Sequence, residues 1–481
     1  MNGIFSLAIC RNNQCFIYSA PGGFHSIYYK QKSGNLQLSE NIHDLTKDED
    51  LCEEHILEYL CCLHCRFDHT FYKTIFVTEP GIAICYSQQE FTRVKIFSYA
   101  ISPDMLYGEG RSKLITKGHQ MLKEITQRMI AYLDGRQAVI PLSGGYDSRL
   151  IITSLVKEGY KNILAFTYGK PDNYEISYAE QTARKLGVKW VYIPYYKESG
   201  YKYVLTSGFK EYVSFLTNGR GFPSMHEVIS IQTLMKEYLS DDAVFIPGHS
   251  GDVLGGSQFV KVFPLNLKRR DISKTIISSK FYNYPTNRKF VELETRLLDQ
   301  QIEQYDQKLL PATIFEDIHI AEKLSKHILN SSRAFSFFGY DSYFPYWDLA
   351  MIKYFRSLPT DLKVGKIFYD ELLDDYCFRE FGVDFKNRIL NPSLLTVYIQ
   401  NKKEAVKNYL PNWILDYFNR KNDIIQYNVI SDFICNELEK NGYAIKCHNN
   451  YNAIISQYVI YCLLKSHPKD QTLLLKKLFG K

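Results

Sequence analysis

The chain has 481 residues, of which 45% are apolar and 23% are charged, and its formal net charge is +6. This length predicts two to three domains, and the balance of residue types is that of a globular protein. The charge is too small to indicate a nucleic acid partner, and the lack of any run of about 18 apolar residues argues against a membrane span. The eleven cysteines have no repeating spacing, so we expect free thiols and not a disulfide framework. The first residues lack a basic segment followed by a long apolar run, so we expect no secretory signal and a place in the cytoplasm.

Residues 1–110 are predicted to form a small β-rich domain. Short alternating runs such as Cys15–Ser19 and Ser26–Tyr29 have the period of strands, and glycine-containing turns separate them. One helix is predicted at Glu53–Cys62. A second helix is predicted at about Lys113–Leu133, where most apolar residues recur at helical spacing.

From Gln137 the chain alternates between strands and helices, which predicts a parallel sheet with right-handed crossovers. The predicted elements are a strand at Ala138–Pro141, a helix at Arg149–Glu158, a strand at Asn162–Tyr168, a helix at Tyr174–Leu186, a strand at Val188–Ile193, a helix at Glu227–Leu239 and a strand at Ala243–Pro247. Mainly helical sequence follows beyond about Asp271. We therefore expect an α/β domain over residues 111–400 and a helical C-terminal extension over residues 401–481 that packs on it.

A glycine-rich loop, Pro141-Leu-Ser-Gly-Gly-Tyr-Asp-Ser148, joins the first strand of this run to the first helix. Backbone N–H groups and the positive end of a helix meet at such a turn, and together they suit a phosphate. Glycines let the backbone approach the phosphate oxygens, and serine hydroxyls can donate further hydrogen bonds. The predicted nucleotide-binding residues of this loop are Leu142, Ser143, Gly144, Gly145, Asp147 and Ser148. A capped glycine turn is the alternative, and a Walker loop is excluded because its Gly-Lys-Ser/Thr ending is absent.

A second glycine-rich loop, Gly248–Ser257, follows the strand Ala243–Pro247 and carries Asp252. Ligands of parallel sheets bind beyond the carboxyl ends of the strands, so both loops should lie at the same edge. Asp147 cannot bind an anion directly, and Asp252 would reach the same edge as Asp147. The two carboxylates are therefore predicted to hold Mg²⁺ against the phosphates of a nucleotide.

Besides the SGGYDS loop, four segments that follow in order resemble the asparagine synthetase family, whose synthetase domain belongs to the PP-loop ATP pyrophosphatases. They are Ala165–Gly169 with Glu175 and Ala179 after it, the loop Gly248–Gly256, the stretch Phe338–Asp348, which is similar to W-G-x-E-x-R-x-P-F-x-D, and Gly365-Lys366, which is similar to a G-K-x-x-x-R motif. The resemblance implies a parallel-sheet PP-loop fold that uses ATP and Mg²⁺. It also implies that backbone groups near Thr167, Tyr168 and Gly248 contact the nucleotide.

What the resemblance implies is an ATP-dependent, AMP-forming amide ligase. A substrate carboxylate and ATP would give an acyl-adenylate and pyrophosphate, and an amine would then form the amide. A basic residue after the Gly-Lys motif would stabilise the transition state, and Lys386 and Arg388 are the nearest candidates. His249 stands where the family often has glutamate, and it is a candidate general base or a structural histidine.

The N-terminal region resembles a truncated glutaminase domain that lacks its nucleophile. The family begins MCGIF and this chain begins MNGIF, so Asn2 replaces the nucleophilic cysteine. An amide cannot make the thiolate attack, so glutamine hydrolysis by that route should be absent. The amine would then come from solution or from another substrate. Val253 also replaces a glutamate of the acidic loop, which argues against free aspartate as the acid.

Several alternatives stay open at this point. A different PP-loop enzyme, such as one that thiolates tRNA, would need a catalytic cysteine near the loop, and a nucleotide-binding partner subunit without activity would not need both carboxylates. The stretch Cys61-Cys62-Leu-His64-Cys65 has a spacing that invites a zinc site. Arg220, His226 and Arg333 could bind a substrate carboxylate. The expected partners are small-molecule acids and amines, and no nucleic acid is expected. A role in surface-polysaccharide or natural-product synthesis would fit. The oligomeric state is open.

Overall fold

Two antiparallel sheets and one helix form most of the first hundred residues. The computed structural model describes residues 2–12, 14–171, 173–259, 267–281, 288–385, 420–443, 445 and 450–467. In spatial order, the first sheet contains Ser6–Arg11 (β1), Gln14–Ser19 (β2), Ile82–Ser87 (β6) and Glu90–Lys95 (β7). The second sheet contains Asn35–Ser39 (β4), Tyr28–Lys32 (β3) and Phe76–Val77 (β5). Helix α1 spans Glu53–Cys62, as the sequence predicts.

Alternating apolar side chains explain how the first sheet packs. The cross-strand pairs Cys15 with Tyr86 and Ile17 with Ile84 are buried on one face of β2 and β6. Cys10 lies opposite Cys15 in the β1–β2 hairpin, and their sulfur atoms are bonded. The expectation of free thiols is therefore wrong for this pair, because the hairpin register brings the two side chains together. The other described cysteines form no disulfide.

A parallel five-stranded sheet forms the centre of the remaining chain. In spatial order its strands are Lys189–Pro194 (β10), Ile163–Gly169 (β9), Ala138–Pro141 (β8), Val244–Phe245 (β11) and Asp341–Ser342 (β12), and every neighbouring pair is parallel. The chain passes from β8 through β9 to β10 on one side and then returns to β11 on the other side of β8. A crevice therefore opens at the carboxyl ends of β8 and β11, which is where such sheets bind ligands.

Successive residues of the central strand are buried in different cores. Val139 belongs to one large apolar cluster, whereas Ala138 and Ile140 belong to another, and all three are fully buried. Neighbouring side chains of a strand point to opposite faces of the sheet, so both faces are covered. This arrangement explains why β8 is a continuous apolar run and not an alternating one.

Helices cover these two faces and dominate the chain after β12. Their bounds are Arg111–Leu133 (α2), Tyr146–Lys157 (α3), Tyr174–Leu186 (α4), Lys197–Val204 (α5), Gly208–Thr217 (α6), Val228–Glu237 (α7), Gly251–Leu254 (α8), Ile272–Lys280 (α9), Arg288–Glu303 (α10), Pro311–His319 (α11), Arg333–Phe337 (α12), Leu349–Arg356 (α13), Thr360–Lys363 (α14), Ile367–Leu373 (α15), Tyr427–Lys440 (α16) and Tyr451–Lys465 (α17). Ile320–Ile328 and Asp374–Phe378 are π-helical. The predicted fold class, a parallel-sheet α/β domain after a β-rich part and before further helices, is confirmed. Across the described ranges, no helix is both long and apolar enough to cross a bilayer.

Helix α3 begins three residues earlier than its apolar periodicity predicts. Gly145 is extended (φ −75°, ψ 165°) and is the N-cap, so Tyr146 is the first helical residue. Asp147 and Ser148 therefore lie in the first turn of the helix and not in the preceding loop. Their backbone N–H groups have no acceptor within the helix and face the crevice end of the sheet.

The β-rich part contacts the α/β part through hydrogen bonds and ion pairs of polar side chains. The Asn2 side chain donates from Nδ2 to Asp348 Oδ2 at 2.9 Å, and its Oδ1 accepts from the Leu349 N–H at 2.8 Å. Asn2 therefore anchors the chain at the start of α13. The Arg66 guanidinium is paired with the Glu294 carboxylate, and both side chains are fully buried. The boundaries of the three predicted domains, near residues 110 and 400, stay predictions.

Candidate active site

Two loops meet at the crevice between β8 and β11. Residues 142–145 connect β8 to α3, and residues 246–250 connect β11 to α8. A cleft of about 1100 Å³ opens between them. The sequence-predicted site residues that line this cleft are Leu142, Ser143, Gly145, Asp147, Ser148, Thr167, Tyr168, Gly248, His249 and Asp252. The structure thus brings together residues that lie up to 110 positions apart (252 − 142) in the sequence.

The first loop is held by its own serine hydroxyls. The Ser143 N–H donates to Ser148 Oγ at 3.1 Å, and the Gly145 N–H donates to Ser143 Oγ at 3.1 Å. The two hydroxyls are themselves 3.2 Å apart. These bonds fix the turn that delivers the N-terminus of α3 to the cleft, where backbone N–H groups and the helix dipole favour an anion.

Arg149 locks this loop to a distant segment of the chain. The fully buried guanidinium donates to the Gly144 carbonyl at 2.8 Å and to the Val383 carbonyl at 2.9 Å. It also donates to the Phe385 carbonyl at 3.1 Å and lies 4.7 Å from the centre of that ring. The sequence pattern predicts only that Arg149 lies in a helix. A charged residue on an apolar helix face is a signal of a buried contact such as this one.

Gly248 lets the second loop approach the backbone of the first. A Cβ atom at this position would lie 2.8 Å from Ser148 N and 3.1 Å from the carbonyl carbon of Asp147. Neither atom belongs to a flexible side chain, so a larger residue would push the loops apart. Glycine is therefore required here by close backbone approach and not by an unusual φ angle.

Asp147 and Asp252, each in the first turn of the helix that follows its loop, are in direct contact. The Asp252 N–H donates to Asp147 Oδ2 at 2.7 Å, and the Tyr369 hydroxyl donates to Asp147 Oδ1 at 2.8 Å. Burial and, after it, the charge of Asp252 raise the pKa of Asp147 to about 7. Two carboxylates held this close repel each other, and a cation between them would remove that repulsion.

The hydroxyl groups of two tyrosines hold Asp147 in place. The Tyr346 hydroxyl donates to the Asp147 carbonyl at 2.9 Å and lies 3.3 Å from the Tyr369 hydroxyl. Tyr346 comes from the stretch Phe338–Asp348, and Tyr369 comes from the first turn of α15 after Gly365-Lys366. Both motif segments thus reach the site through residues that the sequence analysis did not select.

Lys366 is a buried cation of the cleft lining whose charge acts on Asp147. It is 7% exposed, has a φ of 62°, and follows Gly365, whose φ is 70°. Two consecutive left-handed residues break the backbone between α14 and α15 and turn Lys366 into the cleft. Its Nζ lies 3.9 Å from Asp370 Oδ1, and its charge lowers the pKa of Asp147 against the effect of burial. Asp370 occupies the position of the arginine in the G-K-x-x-x-R motif.

Lys386 and Arg388, the two predicted basic catalytic residues, lie outside the described residues. They stay predictions. Lys366 could have been selected beside them, because the Gly-Lys motif itself was recognised in the sequence.

Comparison with protein families matches the asparagine synthase model to residues 134–373. Residues 134–373 are an asparagine synthase domain. The matched range holds all five strands of the parallel sheet, both loops and Lys366. It belongs to a family of ATP-using synthetases.

The chain was also compared with solved structures and with curated protein sequences. A solved structure similar to the chain is an NH3-dependent NAD synthetase from Campylobacter jejuni subsp. jejuni NCTC 11168 in complex with the nitrate ion. The identity is 10%, the match covers 41% of this chain and 99% of that chain, and the TM-score is 0.20. The chain matches no curated protein sequence.

One wall of the cleft of the asparagine synthase domain is formed by the end of β9. The Thr167 hydroxyl donates to the Leu142 carbonyl at 2.7 Å and accepts from the Trp190 indole N–H at 2.9 Å. Its side chain is therefore occupied within the protein. The Tyr168 hydroxyl donates to Glu227 Oε1 at 3.1 Å, and burial raises the pKa of Glu227 to about 7.

His249 of the asparagine synthase domain lines the cleft as a neutral side chain. Its Nδ1 lies 3.0 Å from Ser332 Oγ, and burial lowers its pKa to about 4 although the charge of Asp252 opposes this shift. A general base works best when its pKa is near the operating pH. Burial therefore makes His249 a weaker base than an exposed histidine.

Of the three residues proposed to bind a substrate carboxylate, only His226 lines the cleft. Arg220 is buried and donates to Ser26 Oγ at 3.0 Å, so it contacts the β-rich part. Arg333 lies over the Phe215 ring at 4.9 Å and lines a different pocket. In the candidate zinc segment, His64 Nε2 lies 3.3 Å from Glu322 Oε2.

Proposed function

We propose that the chain is an ATP-dependent, AMP-forming amide ligase that activates a carboxylic acid as its adenylate and joins it to an amine. The observation that carries this proposal is the acidic pair Asp147 and Asp252, held at the N-terminus of α3 beside the buried cation Lys366. A helix N-terminus favours the phosphates of ATP, and the carboxylates favour the metal that accompanies them. The asparagine synthase match supports the same class of reaction.

The acidic pair fits Mg²⁺, which proteins commonly hold by one or two carboxylates together with substrate phosphates. Asp147 and Asp252 would be its protein ligands. Burial and, after it, the charge of Asp252 raise the pKa of Asp147, and a divalent cation would favour the charged form of both carboxylates. When bound, the ion would neutralise negative charge on the phosphates. Tyr369 and the Asp252 N–H keep Asp147 in position for that role.

In the first step, a carboxylate oxygen of the acid attacks the α-phosphorus of ATP. The bond between that phosphorus and the oxygen that bridges to the β-phosphorus breaks, and the electron pair leaves with pyrophosphate. Lys366 would stabilise negative charge that develops on the α-phosphoryl oxygens. Lys386 and Arg388 stay candidates for the same role.

In the second step, the amine nitrogen attacks the acyl carbon and the bond from that carbon to the AMP oxygen breaks. AMP leaves with the electron pair, and the amine loses one proton to a base. His249 and Glu227 line the cleft and are the candidate acceptors of this proton. The raised pKa of Glu227, about 7, suits a base near neutral pH better than the lowered pKa of His249 does.

The amine would come from solution or from a second substrate. Asn2 carries no thiol, and its amide is hydrogen-bonded to Asp348 and Leu349, so it serves as an anchor. We therefore infer that the β-rich part does not hydrolyse glutamine by the N-terminal cysteine route. A reaction in the cytoplasm, in surface-polysaccharide or natural-product synthesis, fits these properties.

Thiolation of tRNA is less well supported than amide formation. Among the described residues no cysteine lines the cleft, and burial raises the pKa of the Cys61 and Cys62 thiols. A thiol with a raised pKa is a poor nucleophile. A partner subunit that only binds nucleotide would have no need of two metal-binding carboxylates.

The test is pyrophosphate release from ATP and Mg²⁺ in the presence of a panel of carboxylic acids, with and without amines. We expect acid-dependent release of pyrophosphate and AMP, and we expect Asp147→Asn to abolish it. The matched control is Asp299→Asn, because Asp299 is exposed on α10 and lies outside the cleft. Release of ADP and phosphate would refute the proposal.

A further inference from the structure

The wall of the cleft away from the acidic pair is basic. It consists of the end of α9, the end of α11 and the π-helical segment Ile320–Ile328, and these elements contribute Lys280, His319 and Lys323 to the lining. π-helical segments are rare and are often found at functional sites. The proposed reaction assigns no role to any of these three residues.

Lys323 is a half-buried cation without a counter-ion among the described residues. No hydrogen bond or ion pair of Lys323 occurs within the described ranges of the chain, and desolvation together with the charge of Lys280 lowers its pKa to about 8. His319 is 6% exposed, and its Nδ1 has no hydrogen-bond partner among the described residues. A partly desolvated charge and a buried polar atom without partners both cost free energy, which a ligand in the cleft can recover.

The neighbouring residues of the same π-helical segment show the opposite arrangement. Lys326 donates to Glu322 Oε2 at 2.9 Å and to the Phe67 carbonyl at 2.7 Å, so its charge is neutralised at the contact with the β-rich part. Lys323 faces the cleft, where the described carboxylates come from other elements: Asp147, Glu175, Glu227 and Asp252. The segment thus pairs one lysine within the protein and presents the other to the cleft.

We propose that this basic wall, with Lys323 at its centre, binds a second anionic group of the acid substrate, either a carboxylate or a phosphate. The acid would then span the cleft, with one carboxylate at the acidic pair for adenylation and the second anion at Lys323 and Lys280, where His319 adds a hydrogen bond. An ammonium group next to that second anion is disfavoured, because the described residues of the basic wall contribute no carboxylate to the cleft lining. The preferred acid is therefore a simple dianion and not an amino acid such as aspartate. This inference rests on the proposed adenylation site.

Equilibrium binding in the absence of ATP tests the basic wall independently of catalysis. The probes are succinate and its uncharged-end analogue succinamate, 3-phosphoglycerate and glycerate, and L-aspartate, each titrated calorimetrically at constant ionic strength. We expect succinate and 3-phosphoglycerate, which each carry a second anionic group, to bind about tenfold or more tightly than succinamate and glycerate, which lack it, since hydrogen bonds to charged groups are worth that much. L-Aspartate should bind more weakly than succinate. Comparison of succinate with 3-phosphoglycerate shows whether a carboxylate or a phosphate fits better.

Three variants test whether Lys323 causes the preference for dianions. Lys323→Gln should remove the preference for dianions, Lys323→Arg should retain it, and Lys274→Gln should leave it unchanged, because Lys274 is exposed on the same helix as Lys280 and lies outside the cleft. Circular dichroism and melting curves check that each variant is folded.

Equal binding of dianions and monoanions, or an unchanged preference in Lys323→Gln, would overturn the inference. Binding of pyrophosphate that depends on Lys323, without such binding of any dianionic acid, would overturn it as well, because the lysines would then hold the leaving group. Failure of adenylation is a separate result: no acid would release pyrophosphate, while the dianion preference would persist.

Discussion

The acidic and the basic walls of the cleft both collect like charges, but they differ in how those charges are held. Asp147 accepts hydrogen bonds from the Tyr369 hydroxyl and the Asp252 N–H, so its position is fixed before any ligand arrives. Lys323 has no such partner in the described part of the chain. The difference suggests that the acidic wall is organised for the chemical step, where geometry decides the rate. The basic wall is organised for affinity.

Ion pairs elsewhere in the protein show what ordinary neutralisation looks like. Lys363 Nζ lies 2.9 Å from Glu316 Oε2, and both side chains are buried. Breaking such a pair leaves an uncompensated charge and destabilises the fold. In the cleft, by contrast, the carboxylates of the acidic pair and the lysines of the basic wall lie on opposite walls, and the volume of the cleft is about 1100 Å³. Separation of this kind is expected where the ligand supplies the missing charges.

After the loss of Asp147, the largest effect is expected for Lys366→Gln, beside the acidic pair. Removing one preorganised charge from an adenylation site should lower the rate of pyrophosphate release by about 10²–10³-fold. The acid concentration for half-maximal rate should change little, because that constant depends on the basic wall. Lys353→Gln is the control, since Lys353 is exposed on α13. A rate within a few-fold of wild type would transfer the role to Lys386 or Arg388.

Gly248→Ala should weaken ATP binding by about tenfold or more, because overpacking of this kind commonly costs 1–3 kcal/mol. The added Cβ would meet Ser148 N at 2.8 Å, and the two loops would have to separate. The dissociation constant of ATP with Mg²⁺ measures the effect. Gly108→Ala is the matched control, because a Cβ there meets nothing within 4 Å. Unchanged ATP affinity would show that the loop contact does not shape the nucleotide site.

Affinity for a dianionic acid should fall at alkaline pH, which separates the basic wall from the acidic one. The pKa of Lys323 is lowered to about 8, so its positive charge is lost as pH rises through that value. Binding should weaken about twofold at pH 8 and about tenfold by pH 9 relative to neutral pH. Calorimetric titration of succinate from pH 6.5 to pH 9 measures this fall.

The titratable groups that interact electrostatically with Lys323 are Lys280 of α9, His319 of α11, the Cys62 thiol of α1, His64 and His327. Burial lowers the pKa of the three histidines and raises the pKa of Cys62, so all four stay neutral across this range. In Lys323→Gln the profile should be nearly flat. A fall of the wild-type size in that variant would show that another group causes it.

The smallest effect is expected on stability. Asp147→Asn should raise the melting temperature of the ligand-free protein by roughly 2 °C, since it removes the repulsion between neighbouring carboxylates. The amide can be accommodated, because its oxygen can accept from the Asp252 N–H and its NH2 group can donate to the Tyr369 hydroxyl. Differential scanning calorimetry without ATP or Mg²⁺ measures the change. A lower melting temperature would show that the carboxylate pair is not strained.

Most of the parallel sheet could be predicted from the sequence, because strand and helix periods alternate cleanly from Ala138 onward. Both loops of the site were also predictable, since each follows an apolar strand and carries glycines beside an aspartate. The start of α3 was missed, because Tyr146, Asp147 and Ser148 belong to the helix without showing its apolar period. The Cys10–Cys15 bond was missed because it depends on a hairpin register that spacing alone does not define.

The residues that complete the site were harder to foresee. Tyr346 and Tyr369 act through single hydroxyl groups on Asp147, and tyrosines are common throughout this chain, so nothing in the sequence distinguished them. Lys280 and Lys323 come from separate helices that are brought together only by tertiary packing. Arg220 and Arg333 were selected because arginine suits carboxylates, but packing placed them elsewhere.

The most direct test of adenylation is the fate of the carboxylate oxygen. The acid identified by the pyrophosphate assay is labelled with ¹⁸O in its carboxylate and turned over with ATP, Mg²⁺ and an amine, and the products are analysed by mass spectrometry. The account predicts that one ¹⁸O atom appears in AMP, because the bond between the acyl carbon and that oxygen breaks when the amine attacks. Label in inorganic phosphate, or AMP without label, would contradict the account.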